Sequence, residues 1–314
     1  MKVLVVGDTG FVASYLLPAL KDALPEAVLY GMSRQAGGNP NVEVQHFAGD
    51  VTDRARTAEV VKEVVPDVII NLSSFSSVFD SWSDPAACHQ VNYIGTLNLC
   101  LAIVRHAPTA RFLHISSLEV YGGSDDPSVS FSETAPVNPQ SPYAVSKAAS
   151  ELLLRQYGIS HGLNYTILRP SNHTGPRRKP SYVLSGFAKH IAEIKHGLRK
   201  PILGVGNLEA HRDFLDVRDV VRAYTSVIVS DQSNQAIFNV CSGHSYSLSH
   251  LLDLMIDIAE VEVKIEIDSR RYRPVDVYCI KGSNSKIRNG IGWAPQVPIE
   301  KTIHDLLAFW ERQT

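Results

Sequence analysis

The chain has 314 residues, of which 44% are hydrophobic and 20% are charged, a balance that excludes disordered and fibrous proteins. This length is enough to bury one large hydrophobic core or two fused ones. The formal net charge of −2 excludes a global basic field that would attract nucleic acid or anionic lipid, so an anionic ligand needs a local site.

Strand-like and helical segments alternate through the first half of the chain. Apolar runs typical of strands cover residues 3–6, 28–31, 68–72, 112–116 and 165–169. Helical spacing of apolar residues covers 12–23, 56–64, 86–105 and 143–157. This alternation predicts an α/β fold, a doubly wound parallel sheet of the Rossmann type with helices on both faces.

A glycine-rich turn follows the first strand and opens the first helix, with the sequence Gly7-Asp8-Thr9-Gly10-Phe11-Val12-Ala13. Gly7 and Gly10 let the backbone approach a pyrophosphate at the positive end of the helix, and the small Ala13 permits close helix–sheet packing. This context indicates a dinucleotide site. The residues expected to contact the cofactor here are Gly7, Thr9, Gly10, Phe11 and Val12.

The end of the second strand bears on which dinucleotide is used. NAD enzymes usually offer a carboxylate to the ribose at this point, whereas this chain has Ser33 and Arg34. A hydroxyl and a guanidinium suit a 2′-phosphate, so we predict NADP(H), with NAD(H) possible and a solvated Arg34 as the alternative. Asp50 and Val51, after a short third strand, are expected near the adenine, and Leu72 ends the fourth strand beside the cofactor.

The catalytic residues are predicted from the fifth strand and the helix that follows it. Tyr143 and Lys147 lie four residues apart and hence on one helix face. Lys147 would lower the pKa of Tyr143, which would exchange a proton with a sugar C4 oxygen as hydride moves, and both would contact the nicotinamide ribose. Ser117, at a strand end, would hydrogen-bond the same oxygen. Alternatively, Tyr143 and Lys147 are an ordinary surface pair.

The strict alternation of strands and helices ends after Pro170. Polar, Pro-rich and Arg-rich stretches appear at 172–180, 204–212 and 269–275. We interpret residues 171–213 and 242–314 as a smaller, discontinuous substrate domain. A helical segment at 217–229 and a strand-like one at 236–240 are expected to return to the sheet, so that 1–170 and 214–241 form the dinucleotide-binding domain.

Taken together, these motifs resemble the extended short-chain dehydrogenases/reductases over nearly the whole chain. Segments 169–178, 206–214, 239–243 and 273–277 resemble the branch of GDP-mannose 4,6-dehydratases and GDP-4-keto-6-deoxy-D-mannose reductases. By that resemblance Arg212 and Arg273 would pair with the diphosphate of a GDP-linked deoxyhexose. The full set of implied substrate residues is Asn172, Arg178, Asn207, Arg212 and Arg273. Without the resemblance, these arginines could be surface or interdomain salt-bridge residues.

The choice between a dehydratase and a reductase depends on few residues. Glu119 stands where the dehydratases carry the base that removes the C5 proton, and it is therefore included among the candidate catalytic residues. The short chain, the Gly10-Phe11-Val12 turn and the Arg212-Asp213-Phe214 segment resemble the reductases more closely. We therefore favour NADPH-dependent reduction of the C4 keto group of a GDP-4-keto-6-deoxyhexose, giving GDP-D-rhamnose or its C4 epimer.

Three alternatives and three further expectations complete the sequence-based picture. The alternatives are a GDP-mannose 4,6-dehydratase, a non-catalytic NADP-sensing regulator, and a nucleotide other than guanosine. Four scattered cysteines without CxxC spacing and a short N-terminal apolar run favour a cytoplasmic protein with free thiols, and the histidine spacing predicts no metal site. The apolar helices 86–105 and 143–157 are the ones that related enzymes use to form a homodimer.

Overall fold

The structure, a computed structural model, describes residues 1–35, 42–230 and 234–314. The strands of the described residues, in chain order, are β1 Lys2–Val6, β2 Val28–Ser33, β3 Gln45–Ala48, β4 Val68–Asn71, β5 Arg111–Ile115, β6 Asn164–Pro170, β7 Asn172–Thr174, β8 Ile202–Val205, β9 His211–Arg212, β10 Phe214–Asp216, β11 Ala236–Val240, β12 Tyr246–Ser247, β13 Lys264–Ile267 and β14 Cys279–Ile280. The α-helices are α1 Ala13–Ala23, α2 Arg54–Val64, α3 Val78–Ser83, α4 Pro85–His89, α5 Gly95–His106, α6 Pro142–His161, α7 Val183–Lys195, α8 Val217–Val229, α9 Leu248–Ala259, α10 Ser285–Ile291 and α11 Ile299–Glu311.

The main sheet of the described residues has seven parallel strands in the order β11-β6-β5-β4-β1-β2-β3. The strand order reverses between β1 and β4, and in such sheets a ligand crevice lies beyond the carboxyl ends of the strands at this reversal. The predicted Rossmann-type parallel sheet is confirmed. The helix α8 and the strand β11 do return to this sheet, where β11 pairs with β6.

Alternation along β1 supplies both faces of the sheet with apolar side chains. Val3 and Val5 face α1 and α8, whereas Leu4 and Val6 face α2, α5 and α6. All four side chains are at most 1% exposed, and burying each contributes about 1.5–3 kcal/mol. The two helix layers are therefore held to a common scaffold, which fixes the ends of the strands that carry the site.

A third hydrophobic core lies in the part of the chain after Pro170. It is formed by α7, α9 and α11 together with β8, which pairs in parallel with the exposed strand β13. Its buried side chains include Leu184, Ile191, Leu251, Met255 and Ile303. Among the described residues, none of the helices combines the length and the apolar character needed to cross a bilayer.

The segment predicted as one helix over residues 86–105 is more complex in the structure. Pro85 starts α4 with Asp84 as its N-cap, and a π-helical segment, Gln90–Ile94, joins α4 to α5. Asn92, within this wider π-helical turn, points inward. Its amide nitrogen donates to Ser146 Oγ at 2.9 Å, and its amide oxygen accepts from Phe75 N at 2.9 Å. This tertiary contact ties the loop after β4 to α6.

Candidate functional site

The glycine-rich turn lies at the carboxyl end of β1, where the strand order reverses. Gly7 has φ 87°, and a Cβ atom there would lie 2.8 Å from the backbone nitrogen of Ser73, so glycine is required. Gly7 N donates to Met32 O at 2.7 Å, and Gly10 N donates to Gly7 O at 3.0 Å. The turn is therefore held tightly against the ends of β2 and β4.

The start of α1 has the properties of an anion site. Val12 precedes the helix, no side chain among the described residues caps it, and its first turn carries no acidic residue. The positive end of the helix dipole is therefore available to a phosphate, although Ser14 N and Tyr15 N already donate to Gly10 O and Val12 O. Together with the close approach that Gly7 and Gly10 permit, this environment fits a dinucleotide pyrophosphate.

The residues predicted on the adenosine side fall beside the same turn. Thr9 Oγ1 donates to Ser33 Oγ at 3.1 Å, and Arg34 is exposed next to them. Asp50 Oδ1 accepts from the backbone and side chain of Thr52 at 2.9 and 2.8 Å, which fixes the turn after β3. Val51 is buried, and its side chain packs so closely against Gly95 that a Cβ atom at that glycine would collide with it. The Val51 side chain is therefore part of the core.

The residues after β4 have partners that the sequence did not reveal. Leu72 N donates to Val6 O at 2.8 Å and its side chain is half-buried. Ser73 Oγ donates to Asn71 Oδ1 at 2.5 Å, and Ser74 Oγ donates to Asn92 Oδ1 at 3.2 Å. These hydroxyls thus bind neighbouring amide side chains and shape the loop at the reversal point.

The predicted catalytic residues come together at the carboxyl end of β5. Ser141 caps α6 by accepting from Ala144 N at 3.1 Å, which sets the start of the helix just before Tyr143. The Tyr143 side chain is buried, and Ser117 and Glu119 are both close enough to affect its pKa. Lys147 Nζ lies 5.8 Å from the centre of the Tyr143 ring.

The pKa of Tyr143 differs from the expectation that Lys147 lowers it. Burial raises the Tyr143 pKa well above its usual range, the nearby Ser117 hydroxyl opposes the rise, and the Glu119 charge adds to it. The Lys147 ammonium instead donates to Ile115 O at 2.8 Å, and burial lowers its own pKa to about 8. The net shift of the Tyr143 pKa is therefore opposite to the expected lowering, because desolvation of the phenol is its largest cause.

A buried polar network behind Ser117 was missed in the sequence. Arg169 Nη2 pairs with Glu151 Oε2 at 2.5 Å, and Glu151 Oε1 accepts from Ser116 Oγ at 2.5 Å. Arg169 Nη1 also donates to Tyr121 at 2.7 Å. Glu151 lies one helical turn beyond Lys147, a spacing that could have signalled its position on the same face of α6.

Two of the predicted substrate residues contact one carboxylate, and a third, Arg273, lies near enough to affect one of them. Asn207 Nδ2 donates to Asp276 Oδ2 at 2.9 Å, and Arg212 Nη2 lies 3.4 Å from Asp276 Oδ1. The nearby charges of Glu119 and Arg273 both affect the pKa of Arg212, which burial lowers. Asp276 was not singled out in the sequence, although it lies within the segment that includes Arg273.

The other two predicted substrate residues lie elsewhere. Asn172 lines a small cavity together with Ser117 and Glu119. Arg178 lies against the ring of Phe11, with its Cζ 4.9 Å from the ring centre, and so sits beside the glycine-rich turn. Among the described residues, no group of three or more His, Cys, Asp or Glu side chains is arranged to hold a metal ion.

Comparison with known proteins decides the family. The family model described as GDP-mannose 4,6 dehydratase matches residues 4–306. The chain belongs to this family. One of its relatives, the GDP-6-deoxy-D-mannose reductase of Pseudomonas aeruginosa, is 38% identical over 247 residues, which is 79% of this chain and 81% of that protein. The GDP-mannose 4,6-dehydratase of Vibrio cholerae is 27% identical over 98% of this chain and 92% of its own length.

Solved structures agree with this membership of the GDP-mannose 4,6-dehydratase family. The structure of RMD from Pseudomonas aeruginosa complexed with NADPH has a TM-score of 0.84 and 32% identity, and the match covers 100% of this chain and 99% of that one. The UDP-glucose 4-epimerase of Thermus thermophilus, in complex with NAD, has a TM-score of 0.87 and 28% identity over 99% of both chains. The predicted membership of the extended short-chain dehydrogenases/reductases, a family of nicotinamide-dependent enzymes, is confirmed.

Proposed function

We propose that this protein reduces the C4 keto group of a GDP-4-keto-6-deoxyhexose with NADPH, giving GDP-D-rhamnose or its C4 epimer. The observation that carries this proposal is the buried Tyr143, close to Ser117 and beside Lys147, in a fold whose glycine-rich turn fits a dinucleotide. The similarity to a protein named GDP-6-deoxy-D-mannose reductase, and to a solved structure complexed with NADPH, supports the substrate and the cofactor.

The raised pKa of Tyr143 suits the acid in a reduction. A phenol that stays protonated can deliver its proton to the C4 oxygen as negative charge develops there. Ser117 would donate to the same oxygen and polarise the carbonyl, and Lys147, with its pKa of about 8, would remain charged at neutral pH. NADPH, when bound, supplies the hydride. The chain's own contribution is thus orientation of the carbonyl and transfer of one proton.

The cluster around Asp276 is the proposed site of the substrate diphosphate. Arg212 and Arg273 provide two guanidinium groups, which suit phosphate oxygens. Asp276 contacts the Arg212 guanidinium and also accepts from Asn207, so it helps to hold Arg212 in place. Asn172, beside Ser117 and Glu119, would contact the sugar. These residues come from 171–213 and 242–314, which we propose as the substrate domain, with 1–170 and 214–241 as the dinucleotide-binding domain.

Dehydration of GDP-mannose is the second candidate function, and one observation favours it. Glu119 lies close enough to Tyr143 to raise its pKa, and its backbone nitrogen donates to Ser117 Oγ at 3.1 Å. A carboxylate beside the phenol is what removal of a C5 proton requires. The two functions therefore differ in the substrate that the site accepts first and in whether NADPH is consumed.

Separate incubations distinguish the candidates. The purified protein should leave GDP-mannose unchanged, and should consume NADPH only when GDP-4-keto-6-deoxymannose is supplied, with the product identified by mass spectrometry. A 4-keto product formed from GDP-mannose alone would instead establish the dehydratase. NADPH binding without turnover of either sugar would favour the non-catalytic sensing regulator. Faster turnover of thymidine- or uridine-linked sugars would show that the substrate nucleotide is not guanosine.

We also propose a cytoplasmic homodimer formed through α5 and α6. The four cysteines are free and buried, which suits a reducing compartment. Apolar residues of α6 spaced by seven share one face and are exposed in the single chain, namely Val145, Leu152 and Ile159, at 41%, 64% and 88%. Such a helix face needs a covering partner, and a second copy of the same helices would supply a matching one.

The dimer is tested by charging this face. Leu152→Glu should dissociate the dimer and so halve the molecular mass measured by light scattering. Each copy would otherwise bury a carboxylate at the interface and lose the burial of a leucine side chain, which contributes about 1.5–3 kcal/mol. Leu198→Glu is the matched control, since Leu198 is also 64% exposed but lies after α7, and this variant should stay dimeric. A dimeric Leu152→Glu protein would contradict an interface through α6.

A further inference from the structure

Asp213 is a buried carboxylate that has no part in the proposed proton transfer. The residue is only 1% exposed. Its Oδ1 accepts from Ser242 N at 2.9 Å and from Ser242 Oγ at 2.8 Å, and its Oδ2 accepts from Gly243 N at 3.0 Å. Gly243 has φ 81°, in the left-handed region that favours glycine. Both carboxylate oxygens therefore bind one short segment that lies 29 and 30 residues further along the chain.

This contact lies where the chain passes between the two proposed domains. The passages come after residues 170, 213 and 241, and Asp213 binds the two residues that follow the third of them. At the first passage, Ser171 N donates to Val240 O at 2.9 Å, and the Ser171 hydroxyl is close enough to affect the Asp213 pKa. All three passages therefore meet around one carboxylate.

The residues on either side of Asp213 carry or adjoin the proposed substrate contacts. Arg212 precedes it and is proposed to bind the substrate diphosphate. Phe214 follows it and pairs with Asn172, the proposed sugar contact, where β10 runs parallel to β7. Asp213 also lines the small cavity that Asn172 shares with Ser117. A displacement of Asp213 would therefore move both substrate residues relative to Ser117.

The ionisation of Asp213 argues against stabilisation of the fold as its main role. Burial raises the Asp213 pKa to about 6, and the donors of Ser242 and Gly243 oppose the rise. Because the folded chain then binds this proton more tightly than the unfolded chain, ionisation on raising the pH lowers the free energy of unfolding. Groups that are kept in such a state are concentrated at functional sites.

We propose that Asp213 is a positioning residue that joins the two proposed domains through segment 242–243. It thereby holds Arg212 and Asn172 in place relative to Ser117, and it transfers no proton itself. The inference rests on the proposed function, because the substrate contacts of Arg212 and Asn172 belong to that proposal. It follows that Asp213 affects the sugar nucleotide much more than NADPH, whose proposed contacts all lie within residues 1–170.

The main test uses Asp213→Asn in the full chain. The variant keeps the shape of the side chain but replaces one acceptor oxygen by an NH₂ group, which cannot accept from segment 242–243. We expect kcat/KM for the GDP-4-keto-6-deoxyhexose to fall about 10- to 100-fold, mainly through KM, the scale for displacing binding groups by about 1 Å. The affinity for GDP, measured by calorimetry, should fall with it. The affinity for NADPH, measured by its fluorescence, should change less than about threefold.

Asp219→Asn is the matched control. Asp219 is 0% exposed, and its Oδ2 accepts from Gln296 N at 3.0 Å and from Val297 N at 2.9 Å. It therefore also joins the two proposed domains, but from α8 and not beside a proposed substrate residue. Its variant should lower the free energy of unfolding and leave KM for the ketosugar unchanged. The pair of variants separates a weakened domain contact from a displaced substrate site.

Hydrogen–deuterium exchange of the ligand-free protein gives a readout that involves no substrate. Exchange of the backbone N–H groups in segment 242–243 should be faster in Asp213→Asn and unchanged in Asp219→Asn, because only the first variant disturbs their acceptor. Ser242→Ala removes one of the three donors and should raise KM for the ketosugar about 2- to 10-fold. This variant carries the comparison if Asp213→Asn does not fold, as judged by circular dichroism.

Several outcomes would overturn the proposal. They are an unchanged KM for the ketosugar in Asp213→Asn, an equal rise of KM in Asp219→Asn, or a loss of NADPH affinity as large as the loss of GDP affinity. Wild-type protein that neither binds GDP nor reduces the ketosugar would instead refute the proposed function. In that case the exchange of segment 242–243 still decides the role of Asp213: faster exchange in Asp213→Asn would support the joint, and unchanged exchange would refute it.

Discussion

Tyr143→Phe is expected to lower kcat by about 10²- to 10⁴-fold, the usual contribution of a positioned general acid. The substitution removes one hydroxyl and leaves the ring in place, so NADPH affinity should change little. The reason is the buried position of the phenol beside Ser117, where its raised pKa keeps it protonated and able to act as the acid. Single-turnover oxidation of NADPH in the presence of the ketosugar measures the chemical step directly.

Tyr157→Phe is the matched control for this loss. Tyr157 lies on the same helix, α6, and is also 8% exposed, but it packs into the core between α6 and the sheet. Its variant should keep nearly full activity. Wild-type kcat in Tyr143→Phe would exclude the phenol as the acid, whereas an equal loss in both variants would point to a general disturbance of α6.

Glu151→Gln is expected to lower the free energy of unfolding by about 3–5 kcal/mol, because it leaves the Arg169 guanidinium buried without its counter-charge. The side chains of Arg169 and Glu151 are only 1% and 4% exposed, and their ion pair raises the Arg169 pKa further above its usual range. Because Glu151 also accepts from Ser116, the strand end that carries Ser117 should loosen with it. Chemical denaturation followed by circular dichroism measures the loss.

Two comparisons make this prediction specific to the buried pair. Glu59→Gln breaks the pair with Arg56, in which the side chains are 63% and 30% exposed, and should cost at most about 1 kcal/mol. The double variant Glu151→Leu with Arg169→Met should be more stable than Glu151→Leu alone, since no unpaired charge remains. If Glu151→Gln lowered the free energy of unfolding as little as Glu59→Gln does, water or a rearrangement would have to compensate the unpaired charge of Arg169.

Several elements were predictable because their signals are local in the chain. Gly7 and Gly10 sit between a short apolar strand and a helical pattern, and the structure places them at the carboxyl end of β1 beside the reversal of the strand order. The prediction of a helix at 217–229 and a strand at 236–240 matches α8 and β11. In α8, Asp216 caps the helix by accepting from Arg218 N at 2.8 Å, a signal that sequence alone contains.

Other features depended on contacts between distant segments. The π-helical segment Gln90–Ile94 interrupts an otherwise regular helical pattern, and the bond from Asn92 to Ser146 that it accompanies joins residues 54 positions apart. The pKa of Tyr143 follows from the number of groups packed around the phenol, which helical spacing does not reveal. For the same reason the spacing of Tyr143 and Lys147 was informative about their common face but not about the direction of the pKa shift.

By itself, the sequence determined the parallel α/β fold, the glycine turn at the end of the first strand, and the pairing of Tyr143 with Lys147 on one helix face. Backbone geometry and helical periodicity act over a few residues, so these properties can be derived from adjacent letters. Only the tertiary structure decided which arginine faces a carboxylate: Arg212 meets Asp276, 64 residues away, whereas Arg178 meets the rings of Phe11 and Tyr182. Charge partners are set by the packing of separate elements, which patterns of adjacent residues do not determine.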